Sequence, residues 1–450
     1  MLTLEDVYFG NRDNGADFRI DDAGDGAEII RRVVAVLLPE RSSKESRWPV
    51  YSGTPVDAST LYHKVLFGYQ GWFACPGDGG ANQWIHWFRS DNPVASQATI
   101  DYWPDVSELD EDELFPTVMT LPDGRPAMLF SSQVEKTVVR HFEWMEKYGL
   151  HGVFLQRFTC ELFDRSTLDR VLQNVRAGAE AYGRVFSVIY AVSDADDGST
   201  LLGQIRQDWQ YLVDTLKITE SPSHLHHNGL PVLGIWGLGF NHINVTPDQA
   251  QEVIDWFRFA SSEYRVALIG GVPTHWRTRT GDSRPEAGWN RAYRSFDVIS
   301  PWTVGRYDDQ SSAWHFMNDL IIPDMRAASL AGVEYMPVVW PGFSWHNLFP
   351  TDPLNAIPRD GGRFFWSQVY NALSAGADMV YGAMFDEVDE GTAIFKLAPT
   401  QVEIPAQGTF VPLNIDGHSL PPDWYLRLAG EATRMLRAEI PLSAIMPIEQ

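Results

Sequence analysis

Eight short apolar runs, separated by segments of helical periodicity, constrain this chain more than any other feature. They are VLFGY (65–69), GVFLQRF (152–158), VFSVIYAV (185–192), PVLGIWGL (231–238), VALIGGVP (266–273), DVISPW (297–302), YMPVVWPG (335–342) and DMVYGAMFDE (378–387). Each is nearly continuous in apolar, β-branched or aromatic residues, the pattern of a strand buried on both faces. Between runs, apolar residues return at helical spacing. Val134, Val138, Phe142 and Met145 form one stripe, which Gly149 ends; Phe365, Val369 and Leu373 form another; Trp424, Leu428, Ala432 and Met435 form a third after the last run. Strands alternating with helices imply an α/β fold with a parallel sheet. Eight repeats in 450 residues favour closure into a (β/α)8 TIM barrel over an open doubly wound sheet. No Gly-x-Gly-x-x-Gly follows an early run, which argues against a dinucleotide fold.

The pattern divides the chain. Residues 1–60 read as an N-terminal extension with one helix, DGAEIIRRVVAVL, and a polar stretch after it. Residues 61–450 read as the barrel, including a Pro- and Gly-rich excursion over 397–422 and a final helix. The formal net charge of −24 opposes binding to nucleic acid or to an anionic membrane surface. Two cysteines, Cys75 and Cys160, predict neither a disulfide framework nor a structural zinc site. The opening MLTLEDVYFGNRD has no basic region and no long apolar run, so the expectation is a cytoplasmic protein with no membrane span. A secreted chain already freed of its leader would read the same.

In a barrel of this kind the strand C-termini build the active site. The ends of the eight runs carry Tyr69 with Trp72 beyond it, Arg157, Tyr190 with Asp194 beyond it, Trp236, His275 followed by Trp276 and Arg277, Trp302, Trp340, and the acidic stretch DEVDE at 386–390. Aromatic platforms around paired carboxylates suit a glycan cleft. Indole rings take the apolar C–H faces of a pyranose, and two close acids push their pKa values apart so that one stays protonated. The same acids could hold a metal ion, but the spacing lacks the order of a calcium loop. They could also be a solvated turn. No HExxH pair and no Gly-x-Ser-x-Gly elbow is present. Alternation along the last strand gives Asp386 a structural role.

Several segments resemble glycoside hydrolase family 99, the endo-α-mannosidases and endo-α-mannanases. FDEVDEGTAIF is similar to that family's Glu-x-x-Glu-Gly-Thr signature, and GYQGWFACPGDGGANQWIHWF to its first strand and the loop that ends in Ile-His-Trp. YWPDVSEL, VVRHFEWMEKYGLHGVFLQRF, VVWPGFSWHN and GGRFFWSQVYNAL match further segments in consistent order between about residues 63 and 396. The resemblance implies a retaining α-glycosidase, with no cofactor and no metal, acting on an oligosaccharide or glycoside. Glu387 would be the base that helps the sugar's own 2-hydroxyl attack the anomeric carbon, giving a 1,2-anhydro sugar. Glu390 would be the acid/base, and Tyr69, Trp72, His86 and Trp87 would line the cleft. The chain departs from the family where Val388 and Asp389 stand between the glutamates in place of two ring-bearing residues, and where the third strand, VIYAVSDA, brings no glutamate. Family 71, with an acidic pair in a similar final loop, is also similar. A silent carbohydrate-binding barrel and a metal-dependent hydrolase using residues 386–390 are the competing expectations.

Overall fold

The computed structural model describes residues 53–193 and 198–449. The helix expected within residues 1–60, and Asp194, lie outside them. Eight parallel strand positions run round a closed barrel. In order they are β1 (Lys64–Tyr69), β4 (Gly152–Phe158), β5 (Val185–Ala191), β7 (Leu230–Trp236), β8 (Ala267–Val272), β9 (Val298–Pro301), a split seventh position, and β12 (Met379–Gly382), which pairs back onto β1. The remaining strands stand outside the ring. A hairpin joins β2 (Phe115–Thr120) to β3 (Pro126–Leu129), and β6 (His226–His227) pairs antiparallel with β7.

The seventh position is split because its strand changes partner halfway. β10 (Glu334–Tyr335) pairs with β9, and β11 (Val338–Val339) pairs with β12. Met336 N–H still donates to Ile299 O (2.9 Å), whereas Pro337 has no N–H and only accepts, from Tyr381 N–H (2.9 Å). That exchange closes the ring.

Alternation along the strands separates two apolar layers. Leu66, Phe154, Ile189, Ile269, Val298, Val338, Met379 and Tyr381 fill the barrel interior. Val65, Phe67, Val153, Leu155, Val188, Ile235, Leu268 and Val380 face the surrounding helices. Gly68 belongs to the inner set: a Cβ there would lie 2.1 Å from Met384 Sδ and 2.2 Å from Tyr381 Oη, so only glycine leaves those side chains room. Outside, α1 (Glu135–Lys147) buries Val138, Phe142 and Met145. α2 (Ser166–Tyr182) and α3 (Gly198–Asp214) follow β4 and β5. The last helix of the chain, Trp424–Leu436, buries Trp424, Leu428, Ala432 and Met435. Residues 397–422 are coil apart from a short 3-10 turn, Leu413–Asp416, tied to the segment after β1 through Ala398 N–H to Trp103 O (2.9 Å) and Val411 N–H to Asp101 O (2.7 Å).

Candidate active site

The loop that follows β12 folds back on itself at the barrel's C-terminal mouth. Thr392 and Ala393 N–H both donate to Glu387 O (3.0 Å each), and Ile394 N–H donates to Met384 O (3.1 Å). Gly391 turns the chain at φ +68; a Cβ on it would lie 2.7 Å from Ser344 N. Two neighbours hold the loop from outside. The buried Arg359 guanidinium donates to Gly391 O (2.7 Å) and Ala393 O (2.8 Å), and Ser344 N–H donates to Glu390 O (2.9 Å).

All four acids of this loop are buried. Asp386 clasps the segment after β1, accepting from Gln70 N–H (2.8 Å) and Gly71 N–H (2.9 Å). Glu387 accepts at one oxygen from Gln70 Nε2 and at the other from Thr392 Oγ1 (2.7 Å). Asp389 faces His86, Oδ2 to Nδ1 at 3.2 Å. Among the described residues no side-chain donor reaches the Glu390 carboxyl group. Because these acids point to different partners, they do not converge on one point as a metal cage would. The cluster of acids with metal-binding spacing among the described residues, Asp110, Asp112 and Glu113, lies before β2 and is bridged by Lys136 and Arg140.

Burial decides the electrostatics. It pushes Asp386 up to about 7, against the pull of the Gly71 and Gln70 amides. Burial, then the charge of Asp389, pushes Glu387 up to about 8, while Thr392 and Gln70 pull the other way. Glu390 is raised well above the carboxylate range by burial first, then by the Glu387 and Asp389 charges. Burial also holds His86 well below the usual histidine value, so Asp389 faces a neutral imidazole near neutral pH.

Strand alternation sorts the remaining expected residues. Trp236 and Trp302 point into the barrel mouth, half-buried and edge to face at 5.7 Å. Trp302 also meets Tyr381, whose hydroxyl accepts from Gln156 Nε2 (3.2 Å). Trp72 lies against His86 (ring centroids 3.7 Å, 6° between planes) and Phe158 (5.3 Å, 18°), so two parallel rings already cover its indole. Tyr69, Arg157 and Tyr190 fall on the outward face of their strands. Tyr69 Oη bonds His141 Nδ1 (2.9 Å) behind the barrel. Arg157 donates to Asp208 from Nε (2.6 Å) and Nη2 (2.7 Å), and Tyr190 Oη donates to the same carboxylate (2.7 Å). The structure does not bring these three into the mouth. Nor does it bring Trp87, fully buried with Nε1 donating to Phe130 O (2.9 Å), or Trp340, enclosed by Tyr307 and Phe364. His275 is half-buried beyond β8, its Nδ1 3.0 Å from Asp282 Oδ1. Gln70, Gln156 and Tyr381 join the site without a sequence signal of their own; Thr392 stands in the Glu-x-x-Glu-Gly-Thr resemblance without being singled out there.

Fold and mouth together define a class: a (β/α)8 barrel whose last strand delivers an acidic loop. No protein-family model matches the chain, and no curated protein matches it. Among solved structures it is similar to the GH99 endo-alpha-mannosidase from Bacteroides thetaiotaomicron. The TM-score is 0.61 at 14% identity, over 84% of this chain and 99% of that one. The same enzyme in complex with bis-tris-propane gives 0.60 at the same identity and coverage. No helix among the described residues is long and apolar enough to cross a membrane.

Proposed function

We propose that the protein is a glycosidase that cleaves an α-linked sugar with retention, using Glu387 and Glu390. The observation that carries this reading is the pair itself: two buried carboxyls on one strand-end loop, both raised, with no cationic side chain bonded to either among the described residues. Their surroundings support different roles. Glu387 accepts two side-chain hydrogen bonds, which favour its ionised form and fit a base. Glu390 accepts none among the described residues, and burial with the Glu387 and Asp389 charges raises it, which fits an acid. In the first step Glu387 takes the proton of the 2-hydroxyl as its oxygen bonds the anomeric carbon. The glycosidic bond breaks and Glu390 protonates the departing oxygen. In the second, Glu390 takes a proton from water, water oxygen bonds the anomeric carbon, the strained C–O bond opens, and Glu387 returns its proton to O2. Two inversions give net retention. Trp236 and Trp302 supply the apolar faces of the cleft. The substrate class is an α-linked oligosaccharide or glycoside, and we place Tyr69, Arg157, Tyr190, Trp87 and Trp340 in the barrel's support.

The test is a panel of α-linked gluco- and manno-oligosaccharides followed by proton NMR. Hydrolysis with the first product in the retained configuration supports the reading. Inversion, or hydrolysis abolished by a chelator, would sink it.

A further inference from the structure

Gln70 is the side chain through which the segment after β1 touches the proposed base, and half of its amide is unused. Its backbone N–H is bound by Asp386 Oδ1 (2.8 Å), and its Nε2 donates to Glu387 Oε1. Its Oε1 is buried and has no partner among the described residues. The same is true of Gln133 Oε1, on a side chain only 4% exposed. Both residues line one cavity of about 50 Å3, walled by Trp72, His86 and Phe158. By this measure a hydroxyl-sized group needs roughly 10–15 Å3, so several fit. A buried carbonyl oxygen without a donor is costly, and two beside one cavity call for an occupant that brings donors. Aromatic walls with two donor-less carbonyl oxygens suit a polyhydroxyl compound and disfavour an anion.

Resting on the glycosidase reading and extending it, we propose that Gln70 is a positioning residue. It pins Glu387 through Nε2 and receives at Oε1 the hydroxyl next to the reacting one, the sugar's 3-hydroxyl, so the 2-hydroxyl keeps its proton turned towards the base. One amide then fixes both partners of the proton transfer, and Gln133 takes a second hydroxyl of the same sugar.

The first arm of the test needs no substrate. Carbon-13 NMR follows the Glu387 carboxyl through a pH titration of the full chain, wild type against Gln70→Leu and Gln70→Glu. The charged or titratable groups facing Glu387 are Asp386, Asp389, Glu390 and Tyr381, with His86 behind Asp389; all stay in place in both variants. Gln70→Leu removes a bond that favours the ionised form, so the midpoint moves up. Gln70→Glu, isosteric with the native side chain, adds a like charge and moves it further. Both keep the backbone bond to Asp386, and a purely structural role would leave the midpoint where it was.

The second arm is calorimetric binding of α-1,3-mannobiose and α-1,3-glucobiose, and of their forms lacking the 3-hydroxyl of the non-reducing sugar, in a Glu390→Gln background that prevents turnover. Gln70→Leu should cost roughly tenfold in affinity for the parent disaccharide and nothing for the 3-deoxy form. An unmoved midpoint, an equal loss with both sugars, or no binding of either disaccharide overturns the proposal. These failures are distinct from failure of the catalytic pair, which shows as hydrolysis surviving in Glu387→Gln.

Discussion

Two groups of buried charge sit at the C-terminal ends of barrel strands and are built in opposite ways. Behind β4 and β5, Arg157 meets Asp208 through two hydrogen bonds and Asp169 through a third (2.8 Å), and Tyr190 closes the set. Inside the mouth, Asp386, Glu387, Asp389 and Glu390 are equally buried, yet among the described residues Asp386, Glu387 and Glu390 bond no cationic side chain, and Arg359 is seen to bind the loop through its carbonyl oxygens. A folded chain tolerates buried charge when each charge has its opposite. Acids buried together without one keep their protons longer, which costs stability and suits proton transfer. The first group holds helices to strands; the second is a store of titratable carboxyls at a concave site.

The comparison breaks most readily at the glutamates. Glu387→Gln should lower turnover by about a thousandfold or more on whichever α-linked sugar the wild type cleaves, with the far-UV spectrum unchanged. Asp208→Ala should do the reverse. Stranding the Arg157 guanidinium without its main partner should cost about 3–5 kcal/mol of stability by denaturant titration, with turnover per folded molecule preserved. If Asp208→Ala folds as well as the wild type, the paired group is not what secures β4 and β5.

A smaller effect falls on sugar binding. Trp302→Ala should weaken it by about 1–3 kcal/mol if the half-buried indole stacks on a pyranose. Trp72→Ala, with two rings already stacked on the indole, should instead lower the melting temperature. Equal effects on binding from the two would remove the distinction between platform and wall.

The smallest effect is on stability against pH. In the folded chain burial pushes Asp386 up to about 7 and Glu387 up to about 8, above their usual carboxylate values of 3.8 and 4.5. The folded state keeps protons that the unfolded chain has released, so these groups lower stability as pH rises from about 4 to about 8. Glu387→Gln has nothing to ionise there. Its melting temperature should exceed that of the wild type at pH 8, with the gap closing towards pH 5. Buried neutral His141, His151 and His224, each held down to about 3, act oppositely, lowering stability as pH falls below about 6.5 in both chains. They cancel in the difference.

Strand positions were legible because both-face burial leaves unbroken apolar runs: GVFLQRF is β4 residue for residue. The same burial hid the site. In a strand apolar on both faces nothing in the run says which parity points inward, so Tyr69, Arg157 and Tyr190 looked like mouth residues beside Trp236 and Trp302. Only the register of all eight strands turns the first three outward. The acidic loop was legible because four acids after a buried strand have no packing use. Asp386 also followed from alternation, and it clasps Gln70 and Gly71. Gln70 was not legible: one amide next to a strand-end aromatic means nothing until the loop from the far end of the chain is brought against it. The seventh run read as one strand, and its exchange of partner at Met336 and Pro337 is a property of closure.

The central claim is that Glu387 and Glu390, buried without a cationic partner among the described residues, mark the working site and that the Arg157 ion pairs mark the frame. The most direct measurement sets Glu390→Gln beside Asp208→Asn, with turnover and melting temperature taken on the same samples at pH 8. The account predicts a crossing: Glu390→Gln melts at or above the wild-type temperature and loses turnover by orders of magnitude, while Asp208→Asn melts well below it and turns over normally where folded. Glu390→Gln that stays active and melts early would contradict it.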